Sequence, residues 1–332
     1  MPQSRAACHR QTVRMPKSLP LPSHLLATPF SYAEARAAGV SAGQLRSSSL
    51  QHPFRGVRSH GLDLDETHDL CRAYVPRMPL GAVFTHSTAA RLRQMPLPRD
   101  MARELHVTVP VGRRAPRGRG VIGHQQRLGP DELTTVRGLA VASPAATWAQ
   151  LGELLGVDDL IAVGEYIITG NPYEKRLPLA SMNDLRAAAE VRLHGAGHRA
   201  RMAAIAEIRE GALSRPETFV RILLTRCGLP EPLINADVVG ACAEFIAMPD
   251  LQWPEFRVAL EYQGDHHRGQ KQFRSDVARI EKLIDADWLV VQVTAAELFG
   301  NPRIVVERVE RRLRSRGWVG RIHLPRAVTF QP

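Results

Sequence analysis

The stretch "MPDLQWPEFRVALEYQGDHHR", residues 248–268, predicts two β-strands joined by a tight turn. Aromatic and aliphatic residues fill both halves, and Pro254 and Glu255 separate them. If these two residues form the whole turn, Trp253 pairs with Phe256. We take this hairpin as the centre of a C-terminal domain.

That register brings two acidic side chains to one face of the hairpin. Asp250 falls opposite Ala259 and therefore lies diagonal to Glu261, about 7 Å away at Cα. Side chains alternate along a strand, so Gln263 shares the face of Glu261. The opposite face takes Val258, Leu260 and Tyr262. A turn one residue longer would break this arrangement.

Two neighbouring carboxylates and an amide oxygen predict a divalent-cation site. Carboxylates this close repel one another unless a cation lies between them, and hard oxygen ligands suit Mg²⁺ or Mn²⁺. Such an ion can activate a water and screen the charge of a phosphate under attack. We expect Asp250 and Glu261 to bind the metal and Gln263 to complete the shell. His267, just past the strand, is placed to carry a proton.

The last hundred residues predict a compact domain with the element order α-β-β-α-β-α. The predicted helices are 214–228, 269–287 and 302–317, and the predicted strands are 241–253, 256–264 and 288–294. The middle helix is expected to bury one apolar face, made of Phe273, Val277, Ile280 and Ile284.

This C-terminal pattern resembles the very-short-patch-repair-like uncharacterised domain of the PD-(D/E)xK nuclease superfamily. The shared features are an Asp before "WPE", then "EYQG" and a His, over roughly residues 214–299. The resemblance implies a restriction-endonuclease-like α/β core and a catalytic set made of Glu217, Asp250, Glu261, Gln263 and His267. It also singles out Asp276 and Arg279 on the following helix.

One departure from the superfamily pattern concerns catalysis. Gln263 stands where the wider superfamily has a lysine, and glutamine adds no positive charge near the phosphate. A domain that binds DNA without cutting it is therefore an alternative. Glu217 also fits the third position of a helix-capping box, and Asp276 with Arg279 fits an ordinary ion pair within a helix.

The whole-chain composition points to a polyanionic partner. The net charge is +11, which favours nucleic acid, although a basic composition bias gives the same sign. The four cysteines show no CxxC spacing, which disfavours zinc fingers and suits a reducing cytosol. No apolar stretch approaches 18 residues, so no membrane helix and no membrane partner are expected.

The residues from 31 to 62 predict a winged helix. Ser31 and Glu34 form a capping box, Gly39 ends the first helix, and Ser41 caps a second helix. The segment "HPFRGVRSHG", residues 52–61, then supplies a β-like wing. Any hairpin of two helices shares this pattern, so the DNA-binding interpretation has a plain structural alternative.

The middle of the chain predicts strands followed by helices. Residues 105–110 alternate as a strand, and a basic glycine-rich loop leads into a second short strand. Residues 143–170 have helical spacing with Ser143 as the N-cap, and 185–210 is expected to be a helical spacer.

The N-terminal half resembles the abortive-infection type IV antitoxin family, over roughly residues 25–170. "FSYAEARAAGVSAGQLRSSS", "AVFTHSTAARL" and "GVIGHQQRL" carry the resemblance. It implies a winged-helix DNA-binding domain followed by a second α/β domain, and it allows a cognate toxin as partner. His86 and His124 belong to the pattern and are interpreted as structural.

We therefore expect a cytoplasmic, multi-domain α/β protein with a DNA-binding front and a magnesium-dependent endonuclease-like back. The expected domains are a disordered basic tail (1–24), a winged helix (25–62), an antitoxin-like α/β domain (63–175), a helical spacer (176–212), an endonuclease-like domain (213–320) and a tail (321–332). The residues expected to contact DNA are Ser41, Gln44, Arg46, Arg58, Lys271, Arg274 and Arg279. The alternatives are an antitoxin-like regulator with an inactive back domain and a protein-interaction module.

Overall fold

The chain folds into two compact units of mixed α/β structure, Met1–Met78 and Pro79–Pro332. The structure is a computed structural model that describes residues 21–191, 195–240, 242–264, 270–324 and 330, without the side chains of 270–276. Most of the predicted N-terminal tail therefore lies outside the described residues. Within them, no helix has the length and apolar character needed to cross a membrane.

The first unit is small and mostly helical. Its regular elements are α1 (Ser23–Ala27), β1 (Phe30–Ser31), α2 (Tyr32–Ala37), β2 (Val57–Arg58) and α3 (Thr67–Tyr74). Strands β1 and β2 pair antiparallel. The predicted capping box is confirmed, because the Glu34 N–H donates to Ser31 Oγ and the Ser31 N–H donates to the Glu34 carboxylate.

The second helix predicted for this unit is wrong in length. Ser41 Oγ does accept the Gln44 N–H, but only one 3₁₀ turn follows, Gln44–Arg46. The serines after it offer the backbone other partners, as the Ser49 N–H shows by donating to Ser47 Oγ. Such local hydrogen bonds compete with helix propagation.

A six-stranded sheet opens the second unit. Its strands are β3 (Val83–Phe84), β4 (Leu105–Val109), β5 (Arg117–Gly118), β6 (Val121–Gln125), β7 (Leu133–Val136) and β8 (Leu139–Ala142), in the spatial order β5-β6-β4-β3-β8-β7. Helix α4 (His86–Leu92) follows β3 directly. The predicted strand at 105–110 is thus confirmed, and so is the short strand after the basic loop.

Four helices follow the sheet. They are α5 (Pro144–Leu151), α6 (Val157–Ile168), α7 (Met182–Val191) and α8 (His198–Glu207). Ser143 caps α5 as predicted. The helix predicted over 185–210 is interrupted, because Gly197 adopts a left-handed φ of 73° before α8.

The C-terminal part surrounds a four-stranded sheet. Helix α9 (Arg215–Arg226) precedes β9 (Leu233–Ile234), β10 (Val238–Val239), β11 (Phe245–Ala247), β12 (Leu251–Trp253) and β13 (Val258–Gln263), and α10 (Gln270–Asp285), β14 (Leu289–Thr294) and α11 (Pro302–Ser315) complete the chain. The sheet order is β14-β13-β12-β9, with β13 and β14 parallel. The single strand predicted over 241–253 is wrong, since β11 pairs with β10 in a separate ribbon.

The turn between β12 and β13 is two residues longer than predicted. Residues Pro254–Phe256 form a 3₁₀ turn, Arg257 follows with a left-handed φ of 48°, and Trp253 pairs with Val258. Proline and a residue tolerated at positive φ suit such a turn. Because the shift is even, each side chain stays on its predicted face of the sheet.

One apolar core runs through most of the second unit. It joins side chains of α5 and α6, such as Trp148 and Ile161, to those of α9 and β13, such as Phe219 and Leu260. Buried hydrogen bonds also join these two groups of elements, since Glu165 on α6 accepts from Arg221 and Thr218 on α9. The finer domain boundaries drawn from the sequence stay a prediction.

Helix α10 is confirmed, but its buried face differs from the prediction. Leu283 is fully buried, whereas Val277 and Ile284 are exposed, and the side chain of Phe273 lies outside the described residues. The helix presents Arg279 and Leu283 to the sheet, because β13 carries Glu261 on that side.

Candidate active site around Asp250 and Glu261

Asp250 and Glu261 lie beside each other on one face of the C-terminal sheet. Leu251 pairs with Leu260, so the same register continued by one step places Asp250 opposite Glu261. The Tyr262 N–H donates to Asp250 Oδ2 at 2.6 Å, which fixes the carboxylate at the end of β12. This continued register has the two residues directly opposite each other, where the prediction had them diagonal.

Glu217 joins them from helix α9. Its Oε2 accepts the Asn235 side-chain amide at 2.7 Å and the Leu213 N–H at 2.9 Å, and its own N–H donates to Ser214. Asn235 also donates its backbone N–H to the Asp250 carbonyl. One asparagine thus ties Glu217 to the strand end that carries Asp250.

Sequence reasoning missed Asn235. It adopts a φ of 45°, a left-handed conformation that asparagine reaches more easily than most residues. The signal available in the sequence was an Asn in a short polar turn between apolar segments, which indicates a turn and says nothing about its partners.

Glu261 is the most buried member of this carboxylate cluster, which we define as Glu217, Asp250 and Glu261. It is 1% exposed, and its Oε2 accepts from Arg279 Nη2 on α10 at 2.8 Å. A buried carboxylate needs such a partner, because desolvation of an isolated charge costs several kcal/mol. Arg279 thus pairs with Glu261, and its predicted contact with DNA stays a prediction.

The carboxylates perturb one another electrostatically. Burial raises the pKa of Asp250 well above its usual range, and the negative charges of Glu217 and Glu261 raise it further. Burial also raises the pKa of Glu217, against the hydrogen bonds that it accepts. A cluster of this kind favours either a retained proton or a bound cation.

The remaining predicted site residues are only partly described. Gln263 ends β13 on the face of Glu261 and is partly buried. His267 lies outside the described residues, as do the side chains of Lys271 and Arg274. Their predicted roles stay predictions.

The carboxylate cluster does not form a closed cage. Its ligand atoms are not among the groups of three that all lie within 4.8 Å of one another, which in the described part of the chain are His86, His106 and His124, and Glu66, His68 and Asp69. A magnesium ion commonly uses one or two carboxylates and keeps several waters, so two of the three carboxylates suffice for it.

In the first unit, the residues predicted to contact DNA differ in side-chain exposure and in their hydrogen bonds to the protein itself. Arg46 is exposed, whereas Arg58 donates to the Leu45 and Val57 carbonyls and so links β2 to the 3₁₀ turn. Gln44 and Ser41 cap each other, since the Ser41 N–H donates to Gln44 Oε1.

One loop of the six-stranded sheet carries four exposed arginines within seven residues. The side chains of Arg113, Arg114, Arg117 and Arg119 are exposed around β5. By contrast, several arginines of the last helix pair with acidic neighbours: Arg303 with Glu307, Arg308 with Glu297 and Arg314 with Glu310. The loop is therefore the better phosphate-binding surface.

Comparison with known proteins gives the chain no relative. It matches no protein-family model, and a search of curated proteins finds no match.

Proposed function

We propose that this protein binds DNA and that its C-terminal domain hydrolyses phosphodiester bonds with the help of Mg²⁺. The observation that carries the proposal is the carboxylate cluster on one sheet face. Its three carboxylates and the Arg279 guanidinium carry a formal charge of −2 when all are ionised, which matches one divalent cation.

The donor chemistry fits a hard cation. Asp250 and Glu261 offer oxygen ligands, and Glu217 and the Gln263 amide oxygen lie on the flanks of the same region. When bound, Mg²⁺ supplies activation of a water and screening of the phosphate charge. The order α9, β12, β13, α10, β14 supports an endonuclease-like domain, with β9, β10 and β11 as additional strands between α9 and β12.

Under this proposal, each residue of the carboxylate site has a defined role. Asp250 and Glu261 hold the cation, and the Tyr262 N–H orients the Asp250 carboxylate. Arg279 orients Glu261 through their ion pair and keeps that buried charge compensated. Gln263 positions water without adding charge, which predicts slower hydrolysis than a lysine at the same position supports.

A plasmid-cleavage assay tests the proposal. Wild-type protein with Mg²⁺ or Mn²⁺ is expected to nick or cut DNA, and Asp250→Asn and Glu261→Gln are each expected to lose at least about 100-fold of that activity, as expected for metal ligands. Glu255→Gln, in the exposed turn between the same strands, is the matched control and keeps full activity. Cleavage that survives both ligand variants contradicts the proposal.

A second function is favoured by one contact. Arg279 already neutralises Glu261 across 2.8 Å, and a satisfied ion pair of this kind also stabilises a domain with no metal. The protein is then an antitoxin-like regulator that binds DNA without cutting it. Tight, salt-sensitive binding of duplex DNA, with no cleavage in either metal, identifies this outcome.

A further inference from the structure

The six-stranded sheet contains a second group of side chains that the proposed nuclease function does not use. The histidine cluster, defined as His86, His106 and His124, brings three ring nitrogens within 4.8 Å of one another. His86 begins α4, His106 lies on β4 and His124 lies on β6. The cluster therefore joins three elements that are separate in the sequence.

Strand alternation explains two of the three positions. Thr108 pairs with His124 in the parallel β4–β6 ladder, so both side chains emerge on the same sheet face. His106, two residues before Thr108, shares that face, while Leu105, Val107 and Val109 occupy the other. His106 Nδ1 lies 2.9 Å from His124 Nε2.

His86 enters the cluster with its Nδ1 beside a hydroxyl group. Its Nδ1 lies 2.9 Å from Thr85 Oγ1, which in turn lies 2.8 Å from Thr108 Oγ1. A hydroxyl that accepts the Nδ1 proton leaves the Nε2 lone pair free, which is the usual outer-shell arrangement of a metal-binding histidine.

The Nε2 atom of His86 is the most informative atom of the cluster. His86 is fully buried, and its Nε2 has no hydrogen-bond partner among the described residues. A buried polar atom without a partner calls for an explanation such as an ion or a water. His86 also holds a φ of 49°, an uncommon conformation that the surrounding fold must maintain.

A fourth candidate ligand, Glu153, lies next to His86 Nε2. Glu153 Oε2 lies 3.9 Å from His86 Nε2, beyond hydrogen-bond distance, and its side chain is 27% exposed. His106 is buried and His124 is half-buried, so two of the three imidazoles are shielded from solvent. Neutral imidazoles and one carboxylate are ligands that zinc accepts.

We propose that His86, His106, His124 and Glu153 form a binding site for a divalent transition-metal ion of the zinc class. Burial of His86 and His106 leaves the carboxylate side as the open approach, which suits a structural or regulatory ion. This site is independent of the carboxylate cluster, whose oxygen ligands suit magnesium.

Metal entry requires a modest rearrangement. Two tetrahedral zinc ligands lie about 3.3 Å apart when each bond is about 2.0–2.1 Å, so His106 and His124 separate by roughly 0.4 Å. The rings of His86 and His124 are stacked at 4.0 Å with an angle of 17°, so one ring must also turn about χ2. That torsion is broad for histidine.

Equilibrium dialysis of the full chain against Zn²⁺, and titration with Co²⁺, test the proposal. Wild-type protein is expected to bind one equivalent, and the cobalt form is expected to absorb in the visible range as a tetrahedral complex. At about 100 times the dissociation constant, zinc should raise the melting temperature by roughly 5–10 °C. Wild-type protein that takes up neither metal overturns the proposal.

Variants locate the ion. His124→Gln, at the least buried histidine of the cluster, and Glu153→Gln are expected to weaken zinc binding at least 10-fold. His198→Gln, at a histidine outside the cluster, should bind as the wild type does. Wild-type zinc affinity in both cluster variants overturns the assignment, and the wild-type cobalt spectrum decides the matter even if a cluster variant fails to fold.

Discussion

At the residue scale, the unusual feature of this protein is Asp250, a carboxylate whose ionised form is disfavoured in the folded state. Asp250 is partly buried, and the charges of Glu217 and Glu261 disfavour its ionised form. Structural carboxylates usually gain from folding, since a partner lowers their pKa. The pKa of Asp250 is shifted in the opposite direction, because burial and two neighbouring carboxylates raise it.

The raised pKa of Asp250 predicts how the stability of the metal-free protein depends on pH. Because folding raises the pKa of Asp250, its favourable contribution is complete below the unfolded pKa of about 3.9 and is lost as pH rises through the folded value. Asp250→Asn should therefore be more stable than wild type near pH 7, by about 1.4 kcal/mol for each pKa unit of the shift. Urea unfolding in a chelator from pH 4 to pH 8 measures the difference.

The control for that experiment is Asp131→Asn, at an exposed carboxylate elsewhere in the same unit. Its stability should follow the wild-type curve across the pH range. If Asp250→Asn also follows that curve, the carboxylates do not strain one another, and the main argument for a cation is lost.

Single residues also mark the limit of prediction from sequence. Asp250, Glu261 and Gln263 were found because strand alternation has a fixed period of two. Asn235 and His106 were not found, since their roles depend on partners that are distant in the sequence. Only the tertiary fold brings those partners together.

At the element scale, the hairpin β12–β13 shows how an error in turn length can leave each side chain on its predicted face. The predicted turn had two residues and the observed one has four, Pro254–Arg257. An odd error would have moved Asp250 to the other face, whereas the even error kept it beside Glu261. Local sequence identified both strands, but it did not define the conformation of the turn.

Other elements were mispredicted for reasons of competition and packing. The second helix of the N-terminal unit shrinks to one 3₁₀ turn where serines bond to the backbone. On α10, the position of Arg279 against Glu261 turns Val277 and Ile284 outward. Periodicity alone does not choose between neighbouring faces of a helix.

Packing between helices gives a test of the core itself. A Cβ at Gly164 on α6 would lie 2.3 Å from Ile208 Cδ1, which is buried beside α8. Gly164→Ala gains about 1 kcal/mol of helix propensity, but overpacking costs about 1–3 kcal/mol. We expect net destabilisation in thermal unfolding, whereas exposed Gly300→Ala, where an added Cβ meets nothing within 4 Å, should not destabilise the protein.

An equal or higher melting temperature for Gly164→Ala would contradict that packing. It would mean that Ile208 moves aside freely and that α6 and α8 are less tightly joined than the structure has them. The result bears on the carboxylate site, because Glu165, next to Gly164, anchors Arg221 and Thr218 of the helix that carries Glu217.

At the scale of the whole molecule, the effect of the net charge of +11 on DNA binding depends on where the charges lie. Many arginines of α11 are paired, while the arginines around β5 are exposed. We therefore predict that DNA affinity falls steeply with salt and that the loop around β5 carries much of this dependence. Each phosphate contact contributes a slope of about −0.9 in log K against log salt.

Two matched variants separate the surfaces. Replacing Arg113, Arg114, Arg117 and Arg119 together by Ala should flatten the salt slope by up to about 0.9 for each lost phosphate contact. Replacing Arg303 and Arg314, which are paired within α11, should leave the slope nearly unchanged. Binding to duplex DNA at several salt concentrations gives both values, and the opposite ranking would reassign the DNA-binding surface to α11.

The most direct test of the account is calorimetric titration of the intact protein with Mn²⁺, in the presence of a duplex that carries non-hydrolysable linkages. We predict uptake that disappears in Asp250→Asn and Glu261→Gln and persists in His124→Gln, because the ion binds the carboxylate cluster. Absence of Mn²⁺ uptake by the wild type, or equal uptake by the two carboxylate variants, would contradict a metal site at Asp250 and Glu261.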